Sequence, residues 1–180
     1  MVADGLANRV WLGRAVYAGL ALAVILVLLL PLDTLPRGWA GPDMLLLLTL
    51  VWAVRRPDHV PVLLVAPVFL LADLLFDRPP GLWTALVVIL TETMRARAEG
   101  LRRQPFPVEW LTATIGILAI MLGARAALSI VMVAQPMLAL TLMQIIATVL
   151  AYPVVAAAAY LFFGLNRPGP GETDARGRPL

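Results

Sequence analysis

The sequence predicts an all-α membrane protein: a polytopic bundle of six transmembrane helices with both termini in the cytoplasm. Composition is the first reason, because 61% of the 180 residues are hydrophobic, 14% are charged and the mean hydropathy is +0.89. Soluble domains are about 45–50% apolar and about 25% charged. The second reason is the division of the chain into long apolar runs. The third is the placement of Arg residues between those runs.

Six apolar runs are the candidate spans. A helix needs about 20 residues to cross the hydrocarbon, within a range of about 17–25. The first run is not followed by a good small-residue cleavage site, so we expect it to be retained as a span. The second and fourth runs are short, and a re-entrant hairpin of the third and fourth is the alternative topology. The runs cover residues 15–32, 39–54, 60–76, 81–94, 110–131 and 135–163.

Proline and alanine positions add detail to these helices. Gly41-Pro42-Asp43 signals the start of the second helix, with Pro42 expected in its first turn. Pro67 and Pro153 lie inside the third and last runs, where we expect each to kink the helix. Four consecutive alanines, residues 156–159, give the last helix a smooth surface that another helix can approach closely.

The Arg residues orient the chain. With the N-terminus inside, eleven of the fourteen basic residues lie on the cytoplasmic side, as the positive-inside rule requires. Residues 1–165 form one transmembrane domain, and the polar, Pro/Gly-rich residues 166–180 are expected to be a disordered cytoplasmic tail. The inner residues are Arg9, Arg14, Arg55, Arg56, Arg95, Arg97, Arg102, Arg103, Arg167, Arg176 and Arg178, and the outer ones are Arg37, Arg78 and Arg125.

Several function classes are disfavoured. The chain has no cysteine and a single histidine, His59, so we expect no thiolate chemistry, no metal site and no Ser-His-Asp set. It has no Gly-rich phosphate loop either, which predicts a noncatalytic protein without a cofactor. Membrane orientation explains the basic charge better than nucleic acid does. Gln144 and Thr148 share a face of the last helix, where interhelical hydrogen bonding is the commoner use.

Two charges near the outer side of the bundle leave alternatives open. Asp73 lies near the outer end of the third helix and Arg125 lies at a similar depth in the fifth. Because unpaired charges are costly in the membrane, one hypothesis is a buried ion pair that fixes helix register. The alternative is that Asp73 caps a loop and Arg125 reaches the outer surface alone. Asp43 is expected to be an N-terminal carboxylate favoured by the helix dipole, with partner binding as the minority view.

The inner loops carry the remaining charges. Arg55 and Arg56 are well placed for anionic lipid head groups, and His59 is expected to be solvated. The longest inner loop is predicted to extend a helix, with ion pairs at i,i+3 and i,i+4 spacing, and to form a solvated face. It is also the candidate site for docking a cytoplasmic partner or lipid, through Arg95, Arg97, Arg102 and Arg103. Its charged residues are Glu92, Arg95, Arg97, Glu99, Arg102, Arg103 and Glu109.

Several short motifs resemble the rod shape-determining protein MreD family across most of residues 10–165. The first is Pro42-Asp43, followed by a leucine-rich helix that ends in Arg55-Arg56-Pro57. The second is Ala72-Asp73-Leu74-Leu75 with Arg78-Pro79-Pro80-Gly81-Leu82. The inner-loop pattern of Glu92, Arg95 and Arg97 with Pro107-Val108-Glu109-Trp110 looks like the alphaproteobacterial branch.

The resemblance implies a noncatalytic, multi-pass subunit of the cell-wall elongation complex in the bacterial inner membrane. Its implied partners are membrane lipids, the scaffold protein MreC and, through it, MreB, RodA and a class B penicillin-binding protein. The family is also similar in fold to the substrate-binding subunits of energy-coupling-factor transporters, so a vitamin-binding subunit with Trp39 and Trp83 at its site is the alternative. The candidate partner-binding or structural residues are Asp43, Arg55, Arg56, Asp73, Arg78, Gly81 and Arg125.

Overall fold

The computed structural model describes residues 2–30, 40–133, 135 and 137–163. Within these residues the chain forms seven α-helices and one 3-10 turn, Pro57–His59, and contains no strand. The prediction of an all-α protein is therefore confirmed for this part of the chain. Trp39, Arg37 and the predicted tail lie outside the described residues. The helices are α1 Val2–Leu29, α2 Met44–Arg55, α3 Val62–Leu75, α4 Leu82–Ala96, α5 Ala98–Arg103, α6 Phe106–Ile130 and α7 Leu138–Phe163.

Three of these helices are long and apolar enough to cross a membrane: Asn8–Leu29 of α1, Phe106–Ile130 of α6 and Leu138–Phe162 of α7. The helices α2, α3 and α4 have 12, 14 and 15 residues. At a rise of 1.5 Å per residue, the 12 residues of α2 reach about 18 Å, against a hydrocarbon thickness of about 30 Å. The six predicted helices are all present, and three of them have the length of a complete span.

The short helix α2 is the core of the bundle. It is apolar on every side, and ten of its 12 residues are buried. It packs against α1, α4, α5 and α7. A helix that is hydrophobic all round is stable when other elements enclose it, which is the position of α2 here. The largest buried side chains of the common core include Tyr17, Phe69, Ile117 and Tyr152.

The outer surfaces of the long helices are apolar. Exposed large side chains recur at helical spacing, so each long helix presents an apolar stripe away from the core. Stripes of this kind match the surface that hydrocarbon chains would cover. The exposed residues include Leu22, Leu26 and Leu29 on α1, Leu111, Ile115 and Leu122 on α6, and Ile146, Leu150 and Val154 on α7.

Several helix boundaries differ from the prediction. Helix α1 begins at Val2, so Arg9 and Arg14 lie within a helix rather than in a loop. Helix α6 begins at Phe106, four residues before the predicted start, because Pro105 is its extended N-cap and Pro107 is tolerated in the first turn. Pro42 precedes the cap of α2 and does not lie in its first turn, since Asp43 is the N-cap.

Proline and alanine positions in the helices are also resolved. Pro67 lies inside α3 and Pro153 inside α7, and both helices continue through them. Ala156 and Ala159 are buried within the bundle, whereas Ala157 is exposed. Part of the alanine surface, Ala156 and Ala159, therefore packs within this chain, because small residues on this face let α7 approach its neighbouring helices closely.

Candidate functional site

The inner end of α2 carries a buried ion pair. The Nη2 atom of Arg55 lies 3.8 Å from Oε1 of Glu109, and the two side chains are 7% and 0% exposed. The hydroxyl of Tyr152 donates to the same Oε1 at 2.9 Å. Three helices, α2, α6 and α7, are therefore joined through one carboxylate. In the low-dielectric interior such a cluster is stable only while all its members are present.

This cluster corrects two predictions. Arg55 was expected at the lipid head groups, and Glu109 in the solvated inner loop; both are buried. The physical reason is the early start of α6, which places Glu109 in its first turn on the same face as Ala113 and Ile117. A carboxylate in a first turn is also favoured by the helix dipole. The sequence signals for this burial were the apolar neighbours Val108 and Trp110 and the helical spacing of Glu109 with Ala113 and Ile117.

The outer end of α2 is capped by Asp43. Its Oδ1 atom accepts from the backbone N–H of Leu46 at 3.0 Å, so the predicted N-terminal carboxylate is confirmed. The backbone N–H of Asp43 donates to Oγ1 of Thr148 at 3.0 Å. The Thr148 hydroxyl in turn donates to the carbonyl of Gln144 at 2.6 Å. The interhelical use predicted for Thr148 is confirmed, and it fixes α7 against the start of α2.

Asp73 organises the turn between α3 and α4. Its side chain is fully buried, and Oδ2 accepts from the Gly81 N–H at 3.1 Å, the Thr84 N–H at 3.2 Å and the Thr84 hydroxyl at 2.8 Å. Gly81 has φ +88°, a conformation that favours glycine. Asp73 therefore caps α4, and in the described residues it does not pair with Arg125, which donates to Thr141 Oγ1 at 3.0 Å. Of the two alternatives, the loop cap is the one observed.

A cavity of about 420 Å³ opens beside the outer end of α2, and we call it the outer cleft. A second cavity of about 540 Å³ adjoins it and shares Asp43, Arg78, Thr141 and Gln144. The guanidinium of Arg78 lies 5.4 Å from the ring centroid of Phe76 and 5.6 Å from that of Trp83. The outer cleft is lined by Asp43, Asp77, Arg78, Pro79, Leu82, Trp83, Met121, Ala124, Arg125, Leu128, Val133, Gln135, Thr141 and Gln144.

The inner face carries the predicted ion pairs. Glu92 pairs with Arg95, and Glu99 pairs with Arg103 at 2.7 Å, so both predicted pairs are confirmed. Arg95 also donates from Nε to the carbonyl of Pro57 at 3.0 Å, which ties α4 to the turn after α2. Arg97 and Arg103 line a cavity of about 580 Å³ between α5 and α6.

Two inner-face groups are less solvated than predicted. The ring of His59 lies 5.7 Å from that of Trp52 and fills the space beside Gly13, where a Cβ atom would come within 2.3 Å of it. Burial, with a smaller effect of Arg56, lowers the pKa of His59 below its usual 6.5. Burial, again with a smaller effect of Arg56, also lowers the pKa of Arg102, which stays charged at neutral pH.

The long apolar helices and the apolar exterior define the class of protein: this chain is an α-helical membrane protein. Comparisons with protein-family models, with curated proteins and with solved structures find no match to it.

Proposed function

We propose that this chain is a noncatalytic membrane subunit of a bacterial cell-elongation complex, and that it binds the scaffold protein MreC. Through MreC it would help organise lateral peptidoglycan synthesis by RodA and a class B penicillin-binding protein, along MreB filaments. The proposal places the protein in the inner (plasma) membrane, with α1, α2, α3, α4, α6 and α7 all crossing and both termini in the cytoplasm.

The observation that carries this proposal is the part played by the motif residues. Asp43 caps α2, Arg55 holds its inner end to α6, and Asp73 with Gly81 builds the turn from α3 to α4. The residues on which the MreD resemblance depends thus cap helices or connect one helix to another. A chain that has these residues in common with the MreD family is expected to have the same helix arrangement.

The six crossings are supported by the way the short helices end. Backbone groups at membrane depth need internal partners. The start of α2 has them in the Asp43 cap and Thr148, and the start of α4 has them in Asp73. Enclosure by the longer helices also removes the need for α2 to match the bilayer thickness alone. The inner excess of Arg residues supports the orientation.

The exposed face of α7 is the surface we assign to the scaffold's single transmembrane helix. Ala157 lies on that face between Val154 and Leu161, which are 68% and 73% exposed. A small residue between larger apolar ones lets a second helix approach closely, and packing of this kind drives helix association in lipid. Of the alanines 156–159, we assign the contact to Ala157 because Ala156 and Ala159 are buried.

A second candidate function has its own supporting observation. The outer cleft, with Trp83 and Arg78 in its lining, has a volume typical of small-ligand pockets. It favours the alternative of a substrate-binding subunit of a vitamin transporter. Such a subunit would associate with two ATPases and a coupling membrane protein rather than with MreC.

The two candidates are separated by affinity purification of the tagged full chain from its native membranes in mild detergent, followed by mass spectrometry. We expect recovery of MreC with the wall-synthesis proteins. The variant Ala157→Phe should lose MreC, while Ala147→Phe at a partly buried position on the same helix tests for general disruption. Recovery of a pair of ATPases instead would overturn the scaffold proposal in favour of the transporter subunit.

A further inference from the structure

The outer cleft brings four charged side chains of both signs to one cavity. Asp43, Asp77, Arg78 and Arg125 all line it. None of the ion pairs seen among the described residues joins Asp43, Asp77 and Arg78, since those pairs lie at the inner end of α2 and on α4 and α5. Asp43, Asp77 and Arg78 share this cleft without pairing with one another, which favours a ligand that supplies counter-charges to these three groups.

The contacts of these groups leave bonding capacity unused. Asp43 is only 8% exposed, and its carboxylate accepts the Leu46 N–H, whereas a carboxylate has about four acceptor sites. Arg78 lies against the rings of Phe76 and Trp83, which attract its charge but accept none of its N–H groups in the plane. The indole N–H of Trp83 is buried with no acceptor among the described residues.

The signs of these groups define the ligand. Two arginines and an indole N–H suit a phosphate, because a guanidinium binds phosphate oxygens through paired N–H groups. Two carboxylates suit an ammonium group. A neutral zwitterion satisfies both sets, whereas a simple anion leaves the carboxylates uncompensated. Apolar residues such as Leu82, Met121 and Leu128 line the rest of the cleft, so the ligand can also carry an apolar part.

We propose that the outer cleft binds a phosphoethanolamine group, with the phosphate at Arg78 and Arg125 and the ammonium at Asp43 and Asp77. The group has two possible sources: the head group of phosphatidylethanolamine, which is a neutral zwitterion, and free soluble phosphoethanolamine, whose phosphate monoester carries additional negative charge at neutral pH. This binding does not depend on the scaffold function: a protein that fails to bind MreC still has the cleft, and a protein with an empty cleft still has the α7 face.

The test is a titration of the purified full chain in detergent, followed by tryptophan fluorescence, with native mass spectrometry to count bound molecules. The probes are dihexanoyl phosphatidylethanolamine, dihexanoyl phosphatidylglycerol and free phosphoethanolamine. We expect saturable binding of one phosphatidylethanolamine per chain. Arg78→Gln should weaken it about ten- to hundredfold, the range for one hydrogen bond to a charged group. Arg9→Gln, at an exposed arginine of α1 on the inner side, is the matched control and should leave binding unchanged.

The second variant, Asp77→Asn, tests the ammonium site. Asp77 is exposed with φ +51°, a conformation that asparagine also adopts, so this change keeps the turn. The substitution should weaken the binding of phosphatidylethanolamine and strengthen the binding of phosphatidylglycerol. Binding of free phosphoethanolamine supports the soluble source, and binding of the lipid alone supports the membrane source. Equal affinity for both lipids with no effect of Asp77→Asn, or wild-type binding by Arg78→Gln, would overturn the proposal.

Discussion

The charged side chains at the two ends of α2 are arranged differently. At the inner end, Arg55 and Glu109 neutralise each other in a contact that excludes water, and Tyr152 completes it. At the outer end, Asp43 and Arg78 line the same cleft without pairing to each other. A buried pair holds helices together because separating it leaves an uncompensated charge. Charges that face a cleft are available to solvent or to a ligand, so the outer end of α2 has the features of a binding site.

The largest effect is expected from breaking the inner pair. Glu109→Ala leaves Arg55 buried without its carboxylate and removes the acceptor of Tyr152, so the free energy of unfolding should fall by about 3–5 kcal/mol. Reversible unfolding in mixed detergent micelles measures it. Glu99→Ala, which breaks an exposed pair, is the control and should cost less than about 1 kcal/mol.

The double variant Arg55→Met/Glu109→Leu sharpens this prediction. Apolar residues of similar size remove both charges together, so much of the lost stability should return. If the double variant is as unstable as Glu109→Ala alone, the uncompensated charge is not the cause of the loss.

The next largest effect concerns the outer turn. Asp73→Ala deprives the Gly81 and Thr84 N–H groups and the Thr84 hydroxyl of one acceptor, and should lower the free energy of unfolding by about 2 kcal/mol. The neighbouring Asp77→Asn, on the exposed side of the same turn, should change it by less than about 0.5 kcal/mol. Equal losses in the two variants would contradict the capping role of Asp73.

A smaller effect is expected where α7 meets the start of α2. Thr148→Val removes the acceptor for the Asp43 backbone N–H and should cost about 1 kcal/mol, because the Asp43 side chain keeps its own cap bond. Thr114→Val is the matched control, since among the described residues the Thr114 hydroxyl donates only to the carbonyl of Trp110 in its own helix. Its unfolding free energy should stay close to that of the unchanged protein.

The smallest effect is a pH dependence at the inner end. Because burial lowers the pKa of His59 in the folded chain, the unfolded chain takes up this proton first as pH falls. The contribution of His59 is therefore complete above about pH 6.5 and is lost as pH falls toward the folded-state pKa. Thermal unfolding at pH 7.5 and 5.5 measures it. His59→Gln should remove that part of the pH dependence, and an unchanged pH profile would contradict it.

Local features of the fold were predictable because they depend on residues close in sequence. The pairs Glu92–Arg95 and Glu99–Arg103 follow from helical spacing, and the Asp43 cap follows from its place before a leucine-rich run. Composition and apolar run length predicted an all-α membrane protein. The choice between a cap and an ion pair at Asp73 was not predictable, because either arrangement would compensate for the free-energy cost of burying its carboxylate.

By itself, the sequence determined the all-α membrane class and the short-range bonds, since hydrophobicity and helical period act within one segment. Only the tertiary structure decided that Glu109 contacts both Arg55 and Tyr152. It also decided that the Thr84 hydroxyl donates to Asp73, and that Asp43 and Arg78 line the same cleft. Those partners come from different helices, and which faces meet depends on how all the side chains of the bundle pack at once.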